Sequence, residues 1–159
     1  MTFETFDLSV FIEADETKIA DAWLKSGIQE QWFLARSNYV DPSGGARADD
    51  ESSDSGDSYW WEWFDGTVET GAVNLAGTNI IEFSFGDGVQ VTVQWESVHD
   101  GTQVVLSQTH DIADIENLQR VYCSCFQGWT FYLANLKAFL EHGVDLREKA
   151  PTRTDHVNV

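Results

Sequence analysis

The sequence predicts an α+β domain with an antiparallel sheet of about seven strands, a long C-terminal helix and two short helices after the first strand. Two observations predict this class. Runs rich in Val, Ile, Phe, Thr and Trp alternate with Gly-containing turn signals over residues 59–110, as in an antiparallel meander. Residues 115–142 carry apolar side chains at helical spacing. The 159 residues fit one domain, expected at 1–147, with a polar tail at 148–159.

The first quarter of the chain is predicted to contain a strand, two short helices and a second strand. These elements are expected at residues 3–12, about 16–26, 28–33 and about 37–40. Asp15 precedes the first helix, where its carboxylate can accept a hydrogen bond from a free amide of the first turn. Gly27 suits the left-handed conformation that ends many helices.

Residues 42–58 are predicted to form a mobile loop within the domain. Gly, Ser and acidic residues dominate this stretch, and nothing in it is expected to be buried in compensation for the entropy lost on ordering. The run DDESSDSGD lacks the glycine and glutamate spacing of a calcium-binding EF-hand loop. We therefore expect a solvated loop.

The meander is divided by four turn signals. They are Asp65-Gly66, Gly77-Thr78-Asn79, Gly86-Asp87-Gly88 and Asp100-Gly101. Short hairpin loops at these positions predict the strand register: Trp95 opposite Leu106, Val93 opposite Gln108, Val91 opposite His110, Phe83 opposite Val91, Trp63 opposite Val68 and Glu62 opposite Glu69. A bulge at Gly71 would restore the parity of the apolar residues that follow it.

Alternation along each strand predicts which side chains face the interior. In the stretch SYWWEWFDGT, Tyr59, Trp61 and Trp63 share one face. The predicted inward face of the later strands consists of Ile81, Phe83, Phe85, Val89, Val91, Val93, Trp95, Leu106, Gln108 and His110. The opposite face carries polar residues that water would accept.

The last helix is predicted from about residue 115 to 142, with Asp114 as its N-cap and Gly143 as its C-cap. Its apolar stripe consists of Leu118, Tyr122, Cys125, Trp129, Tyr132, Leu136 and Leu140. Such a face must pack on another apolar surface, and the inward face of the sheet provides one. Gly128 lies in the middle of this helix, and its expected role is in packing, with close approach to a neighbouring element or a ligand as the alternative.

The charge balance is strongly acidic, with 27 acidic against 9 basic residues and a net charge of −18. Nucleic-acid binding requires a basic surface, so that class is excluded, and anionic membranes would repel this chain. A high-salt cytoplasm would tolerate such a coat. No apolar run is long enough to span a bilayer, and no leader is expected, so a cytoplasmic protein is the expectation.

Cys123 and Cys125 lie two residues apart on the predicted last helix, where their side chains do not face each other. They are expected to remain free thiols.

Five motifs in order resemble the activator of heat-shock protein 90 ATPase homologue family, within the START-like (SRPBCC) superfamily. They are QEQWF at 29–33, VDPSGG at 40–45, WEWFDGTV at 61–68, DGTQVVLSQTH at 100–110 and GWTFYLANLKAFLEHGVDLR at 128–147. The chain departs from the family pattern in the acidic insertion after Gly45. The additional N-terminal domain of the eukaryotic co-chaperones is not expected here either.

The resemblance implies a helix-grip (START-like, Bet v 1-like) fold, in which a curved sheet surrounds the last helix and leaves a deep apolar cavity. It implies binding of a small hydrophobic or amphipathic molecule there. Two alternatives stay open: a chaperone-associated protein that acts through its surface on a heat-shock chaperone, and a cyclase- or hydrolase-type enzyme that uses His110 with nearby aspartates. No catalytic residue, metal site or cofactor is predicted, since no HExxH, nucleophile elbow or phosphate loop occurs.

The predicted ligand-binding residues are those expected between the sheet and the last helix. They are Trp32, Trp61, Trp63, Phe83, Phe85, Val93, Trp95, Gln108, His110, Cys125, Trp129 and Tyr132. The alternative for each ring is that it fills the core. Gln108 and His110 are polar on an apolar face, so each is either satisfied within the protein or a polar anchor for a ligand.

Overall fold

The computed structural model describes residues 3–158 and contains one seven-stranded antiparallel sheet with three helices on it. Met1, Thr2 and Val159, at the ends of the predicted ranges 1–147 and 148–159, lie outside the described residues. The elements in chain order are β1 Thr5–Ile12, α1 Glu16–Leu24, α2 Ser26–Trp32, β2 Arg36–Val40, β3 Ser58–Glu62, β4 Val68–Gly77, β5 Ile80–Ser84, β6 Val89–Val98, β7 Gly101–His110 and α3 Ile115–His142. The strand order is β1-β7-β6-β5-β4-β3-β2. The predicted fold class is confirmed.

The caps of the helices follow the sequence closely, with one exception. Asp15 accepts a hydrogen bond from the Lys18 amide, and Asp114 caps α3. Gly143 ends α3 with a φ of 66°. The prediction that Gly27 ends α1 is wrong. The extended backbone of Lys25 separates the two helices, and Gly27 lies inside α2. None of the helices within residues 3–158 has the length and apolar content needed to cross a bilayer.

The β6–β7 hairpin is shifted by two residues from the predicted register. Trp95 lies opposite Val104 and not opposite Leu106. The turn forms one residue earlier than predicted, because Asp100 itself adopts a left-handed φ of 67°. A shift of two residues keeps every side chain on its predicted face. By contrast, Phe83 lies opposite Val91 as predicted.

The β3–β4 hairpin is shifted by one residue from the predicted register, and this shift moves the first side chains of β4 to the opposite face of the sheet. Glu62 pairs with Val68, and Trp61 pairs with Glu69. The predicted pairing of Glu62 with Glu69 is therefore wrong. Its turn is longer than a two-residue loop, since the Trp63 amide donates to the Thr67 carbonyl. As a result Glu69 lies on the inward face beside Trp61 and not in solvent.

The irregularity in β4 also lies later than predicted. Gly71 remains in register opposite Tyr59, and the register shifts between Val73 and Leu75. The side chain of Val73 is buried, whereas Leu75 is exposed. A Cβ at Gly71 would lie 2.5 Å from the Tyr59 hydroxyl oxygen, so the glycine admits that side chain rather than a bulge.

The interior is a packed layer of aromatic rings between the sheet and the helices. The Trp129 ring of α3 lies with its centroid 6.2 Å from that of Trp23 and 6.2 Å from that of Phe83. The Trp61 ring stacks on Tyr59 at 3.9 Å and meets Phe83 edge-on at 5.1 Å. Trp129 therefore joins α3 to rings of both α1 and the sheet.

The acidic segment between β2 and β3 has buried anchors. Asp57 is fully buried and forms an ion pair with Arg47, and Ser53 is also buried. Single β-bridges join Lys25 to Ser52 and Val40 to Ala46. The expectation that nothing in this segment is buried is wrong, because an ion pair between distant residues is not visible in a local pattern. Its mobility stays a prediction.

The chain after α3 is fixed to α2 by buried polar groups. Asn135 donates to the Trp32 carbonyl at 2.7 Å and accepts a hydrogen bond from the Leu146 amide. Arg147 donates to the Leu34 and Glu30 carbonyls at 2.9 and 3.0 Å. Together these bonds fix the C-terminal end of α3 against α2 and the residues that follow it.

Candidate ligand-binding site

A pocket of about 410 Å³ lies between α3 and the β3–β4 turn, at one end of the packed aromatic layer. We call it the aromatic pocket. Its lining consists of Phe33, Trp63, Asp65, Thr67, Glu69, Phe85, Ser124, Cys125, Gly128, Trp129 and Tyr132. The deep cavity that the resemblance implies is thus reduced, because the rings fill the space further in. No residue of the acidic segment 42–57 lines the aromatic pocket.

Five aromatic rings form its walls. Phe33 meets Tyr132 at a centroid distance of 4.9 Å and Trp63 at 5.6 Å, both edge-on. On the other side Phe85 lies 5.4 Å from Trp129. Because these rings pack on one another, they hold a preformed apolar surface, which is what small-molecule sites present.

The mid-helix glycine opens the aromatic pocket on the α3 side. A Cβ built on Gly128 would meet no atom within 4 Å. The alternative that this glycine allows a close approach to a neighbouring element is therefore wrong. Instead, the missing side chain leaves space between the turns of α3 that carry Cys125 and Tyr132.

Carboxylates supply the charged groups in the lining. Glu69, on β4, is half-buried, and its Oε1 accepts a hydrogen bond from the Gly86 amide at 3.1 Å. Burial raises the pKa of Glu69, and the nearby charge of Asp87 raises it further. Asp65 is exposed in the β3–β4 turn. No Lys, Arg or His occurs among the described residues that line the aromatic pocket.

The lining contains one thiol and one phenol, Cys125 and Tyr132. Burial raises the pKa of the Cys125 thiol, which therefore stays protonated and weakly nucleophilic. Burial likewise raises the pKa of Tyr132. Cys123 is exposed, and both cysteines are free. Within residues 3–158, no group of three or more His, Cys, Asp or Glu residues is arranged to hold a metal ion.

Of the twelve predicted ligand-binding residues, five line the aromatic pocket: Trp63, Phe85, Cys125, Trp129 and Tyr132. The other seven lie in the packed interior: Trp32, Trp61, Phe83, Val93, Trp95, Gln108 and His110. Sequence reasoning missed Phe33, Asp65, Thr67, Glu69 and Ser124. Glu69 was missed because of the one-residue register error, and a longer β3–β4 turn would have placed it correctly.

Gln108 and His110 are satisfied within the protein. The Trp129 indole donates to Gln108 Oε1 at 2.8 Å, and Gln108 Nε2 lies 2.7 Å from His110 Nε2. Because an amide nitrogen only donates, His110 Nε2 is the acceptor, and Nδ1 donates to the Glu4 carbonyl. Both ring nitrogens are thus occupied. Asp114 caps α3, and the hydrogen-bond partners of the His110 ring are Gln108 and the Glu4 carbonyl.

Comparisons with known proteins establish the fold. No protein-family model matches the sequence, and no curated protein matches it. Solved structures do: the protein SSP2350 from Staphylococcus saprophyticus has a TM-score of 0.71 at 17% identity, over 90% of this chain and 96% of that one. The Aha1 dimer from Colwellia psychrerythraea has a TM-score of 0.66 at 17% identity, over 90% and 98%.

An AHSA1-like protein from Aeromonas hydrophila is also similar, with a TM-score of 0.59 at 20% identity, over 87% of this chain and 93% of that one. At these identities the likeness shows the fold. The resemblance to the heat-shock protein 90 ATPase activator homologue family is confirmed at that level, and the helix-grip architecture is common to this chain and these structures.

Proposed function

We propose that this helix-grip chain is a binding module that holds one small hydrophobic or amphipathic molecule in the aromatic pocket. The observation that carries the proposal is the pocket of about 410 Å³, walled by five rings and left open by Gly128. Close-packed interiors have few voids larger than a water molecule, whereas ligand sites of about 300–1,000 Å³ are common. We place this activity in the cytoplasm, in keeping with the two free thiols.

The test fills the pocket without disturbing the fold. Gly128→Leu adds a side chain where a Cβ meets nothing within 4 Å, so it occupies ligand space rather than clashing. We expect decan-1-ol, titrated calorimetrically below its solubility limit, to bind the wild-type chain. We expect at least about a tenfold loss of affinity in Gly128→Leu, which corresponds to about 1.4 kcal/mol.

The same substitution should stabilise the protein. Replacing glycine inside a helix favours the helical state by about 0.5–1 kcal/mol, so urea denaturation should give a higher free energy of unfolding.

Gln127→Leu is the control for the binding test, since Gln127 is the exposed neighbour of Gly128 on α3 and does not line the pocket. Equal decan-1-ol affinity in the wild type and Gly128→Leu, or no binding to either, would contradict the proposal.

A chaperone-associated role is the second candidate. The observation in its favour is the fold that this chain shares with proteins named Aha1 and AHSA1-like. Such a role would act through the surface, so Gly128→Leu should leave it unchanged. Co-purification with a heat-shock chaperone, together with stimulation of its ATP hydrolysis by both the wild type and Gly128→Leu, would support this candidate over ligand binding.

A further inference from the structure

The aromatic pocket combines an apolar wall with negative charge. Glu69 lies on the inward face of β4 opposite Trp61, and Asp65 lies in the turn before it. The side chain of Asp87 is close enough to Glu69 to influence its ionisation. A carboxylate on an apolar surface is unfavourable unless a hydrogen bond or an opposite charge compensates it. The hydrogen bond that Glu69 accepts from the Gly86 amide provides only part of that compensation.

Arg147 and Lys149, which follow α3, are already engaged by other groups. Arg147 pairs with Asp145 and also donates to backbone carbonyls. Lys149 pairs with the same aspartate, and both cations lie over the ring of Phe64. Arg147 and Lys149 are therefore directed at Asp145 and Phe64, and Arg36 pairs with Glu62.

The rings add a second preference for positive charge. The faces of Trp, Tyr and Phe attract cations within about 6 Å, by about 0.5–2 kcal/mol depending on desolvation. Trp63 and Tyr132 both line the pocket, and Phe33 packs against each of them. A ligand cation near Glu69 would therefore lie in a pocket that is lined by these aromatic rings as well as by a carboxylate.

We propose that the ligand of the aromatic pocket is a hydrophobic organic cation, whose ammonium group lies between Glu69 and the surrounding rings. This inference rests on the proposed function, because it specifies the chemistry of the same guest. The positive charge of the ligand would neutralise the half-buried carboxylate of Glu69. It would thereby compensate for the water that the apolar part of the ligand displaces from this carboxylate. An anion of the same shape would be repelled by Glu69 and Asp65.

The test compares three probes with one apolar chain: decyltrimethylammonium, decan-1-ol and decanoate, all below micelle formation. Titrations are run in about 1 M NaCl, where the screening length falls to about 3 Å and the general attraction of the −18 charge is suppressed. We expect the wild type to bind the ammonium probe at least about tenfold more tightly than the alcohol, and decanoate most weakly.

Glu69→Gln retains the shape of the side chain but removes its charge, so the ratio of the ammonium affinity to the decan-1-ol affinity, measured in the same variant, should fall to about one. Glu82→Gln is the matched control. Glu82 lies on β5, where its carboxylate accepts from Thr92, and it does not line the pocket. This variant should retain the full preference.

The outcomes separate the two proposals. Equal binding of the cation and the alcohol by the wild type overturns the inference and leaves the proposed function standing. Binding of none of the three probes overturns both. A cation preference that survives Glu69→Gln undiminished overturns the assignment to Glu69.

The affinity for the ammonium probe should also depend on pH. The probe keeps its charge at every pH, so a change in affinity would report the protonation of Glu69. As the pH falls through the pKa of Glu69, which is raised above 4.5, the carboxyl takes up a proton and the preference should fade. Asp65, Cys125 and Tyr132 line the same pocket as Glu69, and Asp87 and Tyr59 are close enough to interact with its charge. Burial raises the pKa of Tyr59, Cys125 and Tyr132, which stay neutral. Binding of decan-1-ol should stay constant over the same range, and a constant ammonium affinity would contradict the inference.

Discussion

Arg147→Met should lower the free energy of unfolding by about 3–5 kcal/mol, the range for removing one partner of a buried ion pair. The guanidinium side chain is fully buried and bonded to Asp145, to Leu34 O and to Glu30 O. Methionine fills much of the volume but donates no hydrogen bond. Two buried carbonyls would lose their donor, and the Asp145 carboxylate would lose the guanidinium while keeping Lys149 and Asn135. The segment after α3 would also lose its Arg147 bonds to the α2 region.

Urea denaturation of both proteins measures this effect, and Arg153→Met is its control. Arg153 pairs with Glu148, but its side chain is 64% exposed, so its loss should change stability by no more than about 0.5 kcal/mol. Equal effects of the two substitutions would show that burial of Arg147 contributes nothing.

Acid titration should reveal the same ion pair. Burial alone would raise the pKa of Asp145, but hydrogen bonds from Arg147, Lys149 and Asn135 outweigh it and hold the pKa well below the ordinary value of 3.8. A carboxyl group whose pKa is lower in the folded state than in the unfolded state stabilises the fold at a pH above its unfolded pKa. This stabilisation is lost as the pH falls towards and through the folded-state pKa. Arg147→Met should therefore lose less stability than the wild type when the pH is lowered below about 4.

Trp61→Ala should cost about 3–5 kcal/mol, the range for truncating a large buried ring. Trp61 is 1% exposed, and its ring packs against Tyr59, Phe83 and Phe33. The rings around it are supported from several sides and would not close the gap. Denaturant unfolding measures the change.

Trp60→Ala provides the matched control for this substitution. Trp60 is the preceding residue of β3, has the same side chain and lies half-buried on the opposite face. We expect less than half the effect of Trp61→Ala. A larger effect for Trp60 would mean that the assignment of the two faces of β3 is reversed.

The local patterns of the sequence predicted most of the fold because its signals are short-range. The helix caps at Asp15 and Asp114 and the hairpin around Gly86 form as the residue types indicate. Turn length is less local. Asp65-Gly66 predicts a turn, but the Trp63 amide bonds to the Thr67 carbonyl, and that single difference moves Glu69 from the solvent face to the inward face.

The candidate site was harder to predict than the fold. Strand parity shows which rings face inward, but it cannot distinguish a ring that fills the core from one that lines a space. Trp61 and Trp63 share a face, yet only Trp63 reaches the pocket. The difference depends on where α3 lies, and its C-terminal end is fixed by long-range bonds such as those of Asn135 and Arg147, which no sequence period reveals.

The most direct test of ligand binding is to locate a guest by anomalous scattering. Crystals of the wild-type chain grown with 10-bromodecan-1-ol should show a bromine peak or continuous chain density between Phe33, Trp63 and Trp129. Crystals of Gly128→Leu grown under the same conditions should show neither at that position. Bromine bound only elsewhere, or an aromatic pocket that stays empty while the probe is bound in solution, would contradict the account.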